Sequence, residues 1–235
     1  METEKNITKI AIIPARGGSK RILRKNIKKF LGKPIIAYSI QAAINSKLFD
    51  EIMVSTDDKE IAEISKKFGA KVPFFRSDET SDDFATTNDV LNEVIEKYSL
   101  ENKSFDYFCC IYPCAPFITP GKLKVTFNLL NKSNSDSLIP VVKFSYPIQR
   151  AFKLQENVLA YLNPENIKKR SQDLEETYHD AGQFYWSKTE SFIKNKSLLT
   201  NCTSPFILSE TEVQDIDNDE DWKLAEMKYK LLKKD

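Results

Sequence analysis

Up to about Lys143 the sequence alternates short apolar runs with stretches of helical periodicity, and this rhythm restricts the fold more than any other feature. Lys9–Pro14 (KIAIIP), Glu51–Ser55 (EIMVS), Lys71–Phe75, Asp106–Tyr112 (DYFCCIY) and Ser137–Val142 read as strands. Between them, residues 34–46 place Ile36, Ile40 and Ile44 on one helical face. Residues 58–68 form a second helix that ends against Gly69 as a cap, and residues 87–98 align Val90, Leu91, Val94, Ile95 and Tyr98 on one stripe. A fourth helical stretch covers residues 119–131. The run at 106–112 is apolar on both faces, as a strand covered by helices on both sides must be. The order strand, helix, strand implies an α/β fold built on a parallel sheet with right-handed crossovers. Such sheets bind ligands beyond the carboxyl ends of their strands, so the loops after Pro14, Ser55 and Tyr112 become the expected site.

The rhythm breaks after Lys143. Residues 144–180 are mixed and polar, contain Pro147 and Pro164, and lack the Gly/Ser-rich composition of a flexible linker, so they read as an inserted lobe. Gln183–Trp186 and Pro205–Leu208 return as strands, and a helix from about Asn218 closes the chain with Trp222, Ala225, Tyr229 and Leu232 on one face. The 235 residues are expected to form one domain carrying this lobe.

A net charge of +1 argues against a dedicated nucleic-acid binder, which carries an excess of Lys and Arg. No stretch approaches the ~20 apolar residues of a membrane helix, and the N-terminal run METEKNITK lacks the apolar segment of a signal peptide. A cytoplasmic protein is expected. The four cysteines (109, 110, 114 and 202) and the single His179 have no metal-site spacing. Cys109 and Cys110, inside an apolar run, read as buried thiols.

The most informative segment for chemistry is IIPARGGSKRILRKNI, Ile12–Ile27. A buried strand opens into a loop where Gly17 and Gly18 can take backbone angles closed to other residues and converge their N–H groups on an anion. Arg16, Lys20, Arg21, Arg24 and Lys25 place five positive charges within ten residues, a density suited to a triphosphate. The spacing is neither that of a Walker A loop nor G-x-G-x-x-G, which also argues against a dinucleotide-dependent oxidoreductase.

This segment resembles the signature of the CMP–acidic-sugar synthetases, the sialic acid cytidylyltransferase family, with Pro-Ala-Arg-Gly-Gly-Ser-Lys at Pro14–Lys20 followed by Arg24, Lys25 and Asn26. The similarity extends over nearly the whole chain. It implies a three-layer Rossmann-like nucleotidyltransferase fold with a mainly parallel sheet and a small inserted dimerisation lobe. It also implies transfer of CMP from CTP to the anomeric hydroxyl of a nine-carbon acidic sugar by a homodimer. By resemblance, Arg16 and Lys25 hold the triphosphate, and Ala15, Gly17, Gly18, Ser19 and Asn26 complete the loop's part of the CTP site. Arg76 contacts the cytosine region. Ser81 and Thr86 follow in the Ser-Asp-x-x-Ala-Thr stretch, where each could equally serve as a helix cap.

At the end of the central strand the family has Gln-Pro-Thr-Ser-Pro; here the residues are Tyr112, Pro113, Cys114, Ala115 and Pro116. Tyr112 replaces a glutamine that would face the sugar, the form associated with the pseudaminic acid branch. The runs Gln172–Glu175 (QDLE) and Tyr178–Gln183 (YHDAGQ) point the same way. Pseudaminic acid is therefore the expected acceptor, with sialic acid, legionaminic acid and 3-deoxy-manno-octulosonic acid as alternatives. A non-catalytic nucleotide-binding protein is the alternative of another class. Arg170, Gln183 and Tyr185 join Tyr112 as sugar-binding candidates. Arg170 reads either as a surface arginine or as one reaching a sugar site, its own or a partner subunit's. His179 reads as structural or catalytic. Cys114 has no neighbouring His in sequence and is not expected to act as a nucleophile.

Near the C-terminus, Asp215 and Asp217 stand two apart around Ile216. In an extended segment both carboxylates face one way and suit Mg²⁺, which takes one or two carboxylates plus phosphate oxygens and water. Asp219, Glu220 and Asp221 suit the first turn of the last helix instead. The family places an Asp-x-Asp metal pair here, which makes Asp215 and Asp217, with Arg16 and Lys25, the expected catalytic set.

Overall fold

The computed structural model describes residues 7–233. The N-terminal Met1–Asn6, part of the run expected to carry no leader, lies outside the described residues. Seven strands form the central sheet: β1 (Lys9–Pro14), β4 (Glu51–Ser55), β5 (Tyr107–Ile111), β6 (Ser137–Lys143), β9 (Tyr178–Asp180), β10 (Phe184–Lys188) and β11 (Thr203–Leu208). Their order is β11-β6-β10-β5-β1-β4, with β9 also paired to β6. β1 lies parallel to β4 and β5, and β6 parallel to β11, while β10 runs antiparallel between β5 and β6. β1, β4, β5, β6 and β11 thus point one way, β9 and β10 the other. Two ribbons stand outside the sheet: β2 (Lys29–Phe30) with β3 (Lys33–Pro34), and β7 (Phe152–Gln155) with β8 (Val158–Tyr161).

The alternation of side chains along β1 and β5 explains the three layers. Ala11, Ile13, Cys109 and Ile111 pack into one core with α1 (Ile36–Ser46), α2 (Lys59–Lys67) and α4 (Pro120–Lys132). Ile10, Ile12, Phe108 and Cys110 pack into the other with α3 (Thr87–Leu100) and α5 (Thr189–Asn195). Both thiols of the Cys109–Cys110 pair are fully buried, and burial pushes both upward in pKa, so they stay protonated. A third cluster joins α6 (Asp219–Leu232) to the β2–β3 ribbon through Phe30, Ile216, Trp222 and Ala225.

The expected strand at Lys71–Phe75 does not form. Lys71 makes one parallel bridge to Met53, and Pro73, which has no N–H to donate, ends the pairing there. The chain turns instead, and the Arg76 N–H donates to the Thr56 carbonyl over 2.9 Å. The first helix starts at Ile36, not at Pro34, because Lys33 and Pro34 belong to the β2–β3 ribbon.

Residues 144–177 leave the sheet after β6 and carry the β7–β8 hairpin; Tyr178–Asp180 return to pair with Val141–Lys143. β9 and β10 lie on the same side of β6, separated by Ala181–Gln183. Gly182 takes φ +61° in that interruption, a left-handed angle only glycine adopts cheaply. The interruption works as a bulge, re-aiming the side chains on either side of it.

Candidate functional site

The loops after β1 and β5, with Arg76 and the start of α3, enclose a cavity of about 620 Å³. The loop after β4, expected to share the site, supports the β1 loop from behind through Asp57 and Asp58 and does not line the cavity. Arg16, Ser19, Lys20, Arg21, Lys25 and Asn26 line one wall; Arg76, Thr86, Thr87 and Tyr112 line the other. Seven of the residues singled out from the sequence therefore share one space: Arg16, Ser19, Lys25, Asn26, Arg76, Thr86 and Tyr112.

The glycines work by a different route from the one expected. Neither Gly17 nor Gly18 has a positive φ. Gly17 is needed because Asp58 approaches closely: a Cβ there would sit 2.9 Å from the Asp58 carboxylate. Its N–H already donates to Asp57 Oδ1 over 2.8 Å. Gly18 faces open space, leaving room for a bulky anion. Ala15 is buried and donates its N–H to the Ser55 carbonyl, tying the start of the loop to the end of β4.

Each of the five cations meets a carboxylate. Arg24, at a left-handed φ of 55°, is forked onto Asp58, with one contact at 3.0 Å, and also pairs with Glu60. The Asp58 hydrogen bond raises the Arg24 pKa and holds the Asp58 carboxyl below its ordinary value. Arg24 is thereby committed to shaping the loop. Arg16 donates to the Asp82 carbonyl at 2.8 Å and to Asp83 at 3.1 Å, and Lys20 also pairs with Asp83. Arg21 meets Asp217 at 2.8 Å. Lys25 donates to the Ile216 carbonyl at 2.6 Å and lies 3.8 Å from Asp217.

Lys25 and Arg21 thus join the cation-rich wall to the acidic pair. Ile216 is buried against α6, which turns Asp215 and Asp217 away from that core. Asp215 is open to solvent on one side yet crowded by protein on the other. Desolvation, and next the like charge of Asp217, raise its pKa, while Lys25 opposes the shift. A carboxylate pair in mutual repulsion is a donor set that favours a divalent cation. Among the described residues no group of three or more His, Cys, Asp or Glu could hold a metal alone. Further ligands to a cation here must be phosphate oxygens or water.

Asn26 is buried and spans two loops: its amide donates to the Arg16 carbonyl at 2.9 Å and accepts from the Cys114 thiol at 3.2 Å. Burial raises the Cys114 pKa to about 12, so it is a neutral donor. Arg76 is 8% exposed and donates to the Ser55 carbonyl at 2.8 Å and hydroxyl at 3.2 Å. Desolvation lowers its pKa, from a starting point so high that the charge survives. Thr86 caps α3 in a reciprocal box with Asp89 and lines the cavity as well. Ser81 does neither: its hydroxyl donates to the Ser77 carbonyl at 2.6 Å within its own loop.

Tyr112 places its hydroxyl 3.1 Å from Thr87 Oγ1 and its ring against Tyr185, centroids 5.2 Å apart. Tyr185 lies behind it, buried, and donates to Asp180 at 2.8 Å. Gln183 is buried, with its amide donating to the Glu212 carbonyl at 2.6 Å and its Oε1 without a partner among the described residues. Arg170 is not brought to this cavity. It sits 72% exposed on the lobe, forked onto Asp173 at 2.8 and 3.1 Å. His179 faces Phe144, with Nδ1 2.8 Å from the Asp180 carbonyl, an arrangement that assigns the ring proton to Nδ1.

Five acids that shape the site escaped the sequence reading: Asp57, Asp58, Asp83, Glu93 and Asp180. Asp57 and Asp58 directly follow Ser55 in the loop already expected to matter, which was the available signal. Glu93, on α3, accepts from the Ser77 N–H at 2.9 Å and from Thr80 and Lys97, anchoring the loop that carries Asp83. Nothing in its helical spacing marks it.

A mainly parallel α/β sheet with a cation-rich loop beyond β1, facing a carboxylate pair, defines a nucleotidyltransferase. Residues 10–226 match the cytidylyltransferase family, and the chain belongs to it. It is 44% identical to the pseudaminic acid cytidylyltransferase of Campylobacter jejuni, over 94% of this chain and 96% of that protein. It is 34% identical to the CMP-N,N'-diacetyllegionaminic acid synthase of Legionella pneumophila, over 94% and 96%. Among solved structures it resembles CMP:2-keto-3-deoxy-manno-octonic acid synthetase complexed with CTP. That likeness has a TM-score of 0.68 at 16% identity and covers 97% of this chain and 99% of that one, a likeness of fold.

Proposed function

We infer that this chain transfers CMP from CTP to the anomeric hydroxyl of pseudaminic acid, releasing pyrophosphate and giving CMP-pseudaminic acid. The observation that carries this reading is the convergence of Arg16, Lys25, Arg76 and Tyr112 on one cavity whose rim is tied to Asp217 by Arg21 and Lys25. The extent of identity to the Campylobacter jejuni protein supports the choice of sugar. The reaction consumes CTP, an intracellular nucleotide, which supports a cytoplasmic enzyme. Among the described residues no helix is long and apolar enough to cross a membrane.

The anomeric hydroxyl oxygen attacks the α-phosphorus and gives up its proton to solvent as the bond to the α–β bridging oxygen breaks and pyrophosphate leaves. Charge builds on the departing pyrophosphate, so catalysis is mainly positioning and electrostatic stabilisation. Arg16 and Lys25 neutralise the leaving group, and Arg76 holds the nucleoside side of CTP. Asp215 and Asp217 would hold Mg²⁺, which supplies charge withdrawal from the triphosphate. Arg16 and Lys20 exchange Asp83 for phosphate when CTP enters, which keeps the desolvation of these cations small.

Pyrophosphate release measured with CTP and each of pseudaminic, sialic, legionaminic and 3-deoxy-manno-octulosonic acids tests the assignment. Pseudaminic acid should lead in kcat/KM by about tenfold or more, the discrimination that one or two differing hydrogen-bonding groups provide. A better turnover of another acid reassigns the substrate. No turnover with any of them would favour a non-catalytic nucleotide-binding protein.

We also propose that the inserted lobe, expected at 144–180 but ending at 177 because 178–180 pair into the central sheet as β9, is where two copies pair. Tyr146, Phe152, Leu154, Val158 and Leu159 are 55–85% exposed there, a density of apolar surface that marks an interface. Pairing through this lobe would carry Arg170 toward a partner's cleft. Sedimentation should give a dimer for the parent chain and a monomer for the Leu154→Asp/Leu159→Asp variant; a monomeric parent would refute the assignment.

A further inference from the structure

The last residue of β9, beside the bulge, is an acid that the mechanism above does not use. Asp180 accepts from the Tyr185 hydroxyl through Oδ2 and from the Gly182 N–H through Oδ1, both at 2.8 Å. Tyr185 is 4% exposed and packs edge-on against Tyr112, whose hydroxyl reaches Thr87 on the cavity wall. A chain of contacts thus runs from the surface carboxylate through two tyrosines to the cavity. The bulge at its Asp180 end lies beside the acidic pair: a Cβ on Gly182 would lie 4.0 Å from the Asp215 carboxyl carbon.

That placement decides which substrate the chain serves. The triphosphate occupies the cationic wall, so an oxygen attacking its α-phosphorus must arrive beside Asp215 and Asp217, where the bulge lies. A phenol hydroxyl has two in-plane orientations, and an ionised acceptor selects one. Resting on the cytidylyltransferase reading, we propose that Asp180 is a positioning residue for the acceptor sugar. It fixes the Tyr185 hydroxyl and, through the ring contact, the Tyr112 face that meets the sugar's polar substituents. Among the described residues no hydrogen bond or ion pair joins Arg16, Ser19, Lys20 or Lys25 to Asp180, Tyr185 or Tyr112, so nucleotide affinity stands apart from them.

Asp180→Asn keeps the shape and the acceptor for Gly182 N–H but turns an NH₂ toward the Tyr185 hydroxyl. Tyr185→Phe removes the hydroxyl and leaves the carboxylate. Steady-state kinetics with CTP and the sugar acid that the parent enzyme prefers should show KM for the sugar raised about tenfold in each variant, the loss expected for one charge-assisted hydrogen bond. KM for CTP should stay within about twofold, because those contacts are untouched. If Asp180 acts through Tyr185, Asp180→Asn combined with Tyr185→Phe costs no more than the worse single change. An unchanged sugar KM, equal rises in both KM values, or additive losses in the double variant each overturn the proposal. A parent enzyme that turns over none of the four sugar acids overturns the function and this inference together; an active parent with unaffected variants overturns only the inference.

Discussion

Lys25→Met will lower kcat/KM for CTP by about a hundredfold to a thousandfold, the range for losing one preorganised charge donor at a developing anion. Lys25 starts a short 3-10 turn (Lys25–Ile27) and places its ammonium 2.6 Å from the Ile216 carbonyl and 3.8 Å from Asp217, while lining the cavity. Like Arg21 it reaches both the phosphate wall and Asp217, but it is the less exposed of the two and also bonds the Ile216 carbonyl. Methionine retains the apolar stem and removes the charge, so the loss reports electrostatics and not a cavity. Lys25→Arg should rescue little, because a planar fork cannot replace a point charge that already bonds a carbonyl. The unfolding midpoint should move by only a few degrees, since the lost contacts are partly exposed. Steady-state kinetics over a CTP series, with a thermal melt, checks both parts. A loss below fivefold would remove Lys25 from the triphosphate site.

The legible and illegible parts of this chain separate along physical lines. The apolar runs at 9–14, 51–55 and 106–112 became β1, β4 and β5 because a strand buried on both faces has no choice but an apolar run. Strand direction was hidden: Phe184–Lys188 reads the same either way, yet β10 runs antiparallel between two parallel neighbours. The stretch 71–75 looked like a strand by side chain, and one imino acid cancelled it. In the site, the cation run was visible as charge density, whereas the partner of each cation was not. Arg24 and Lys25 are adjacent in sequence, but Asp58 takes one for the loop and Asp217 holds the other at the cleft. Only the fold brings residues 34 and 192 positions away to make that distinction. Thr86 shows the limit of choosing between roles, since it both caps α3 and faces the cavity.

Asp217→Asn is expected to lower kcat at least tenfold with the fold intact, a conservative figure for losing one of the protein ligands of a catalytic cation. Its effect on Asp215 makes the change diagnostic. Desolvation and the charge of Asp217 raise the Asp215 pKa, so in the folded chain a proton competes with a cation for this carboxylate. Lowering the pH through that raised value should weaken Mg²⁺ binding, so that more Mg²⁺ is needed, and produce the acid limb of the rate profile. Removing the Asp217 charge takes away one cause of the shift, so the limb should move to lower pH even as the plateau falls. The stability sign is also fixed. A carboxyl whose folded pKa exceeds its unfolded value contributes stability that is full below the unfolded pKa and is lost as the pH rises through the folded one. At neutral pH Asp215 therefore opposes folding, and the variant should melt no lower than the parent, since the exposed pairs of Asp217 with Arg21 and Lys25 contribute little. Rates measured from acid to neutral pH across a Mg²⁺ series, with melts of both proteins, test the argument. A full rate at unchanged Mg²⁺ demand would take the cation away from this pair, and an acid limb that stays in place would detach Asp215 from it.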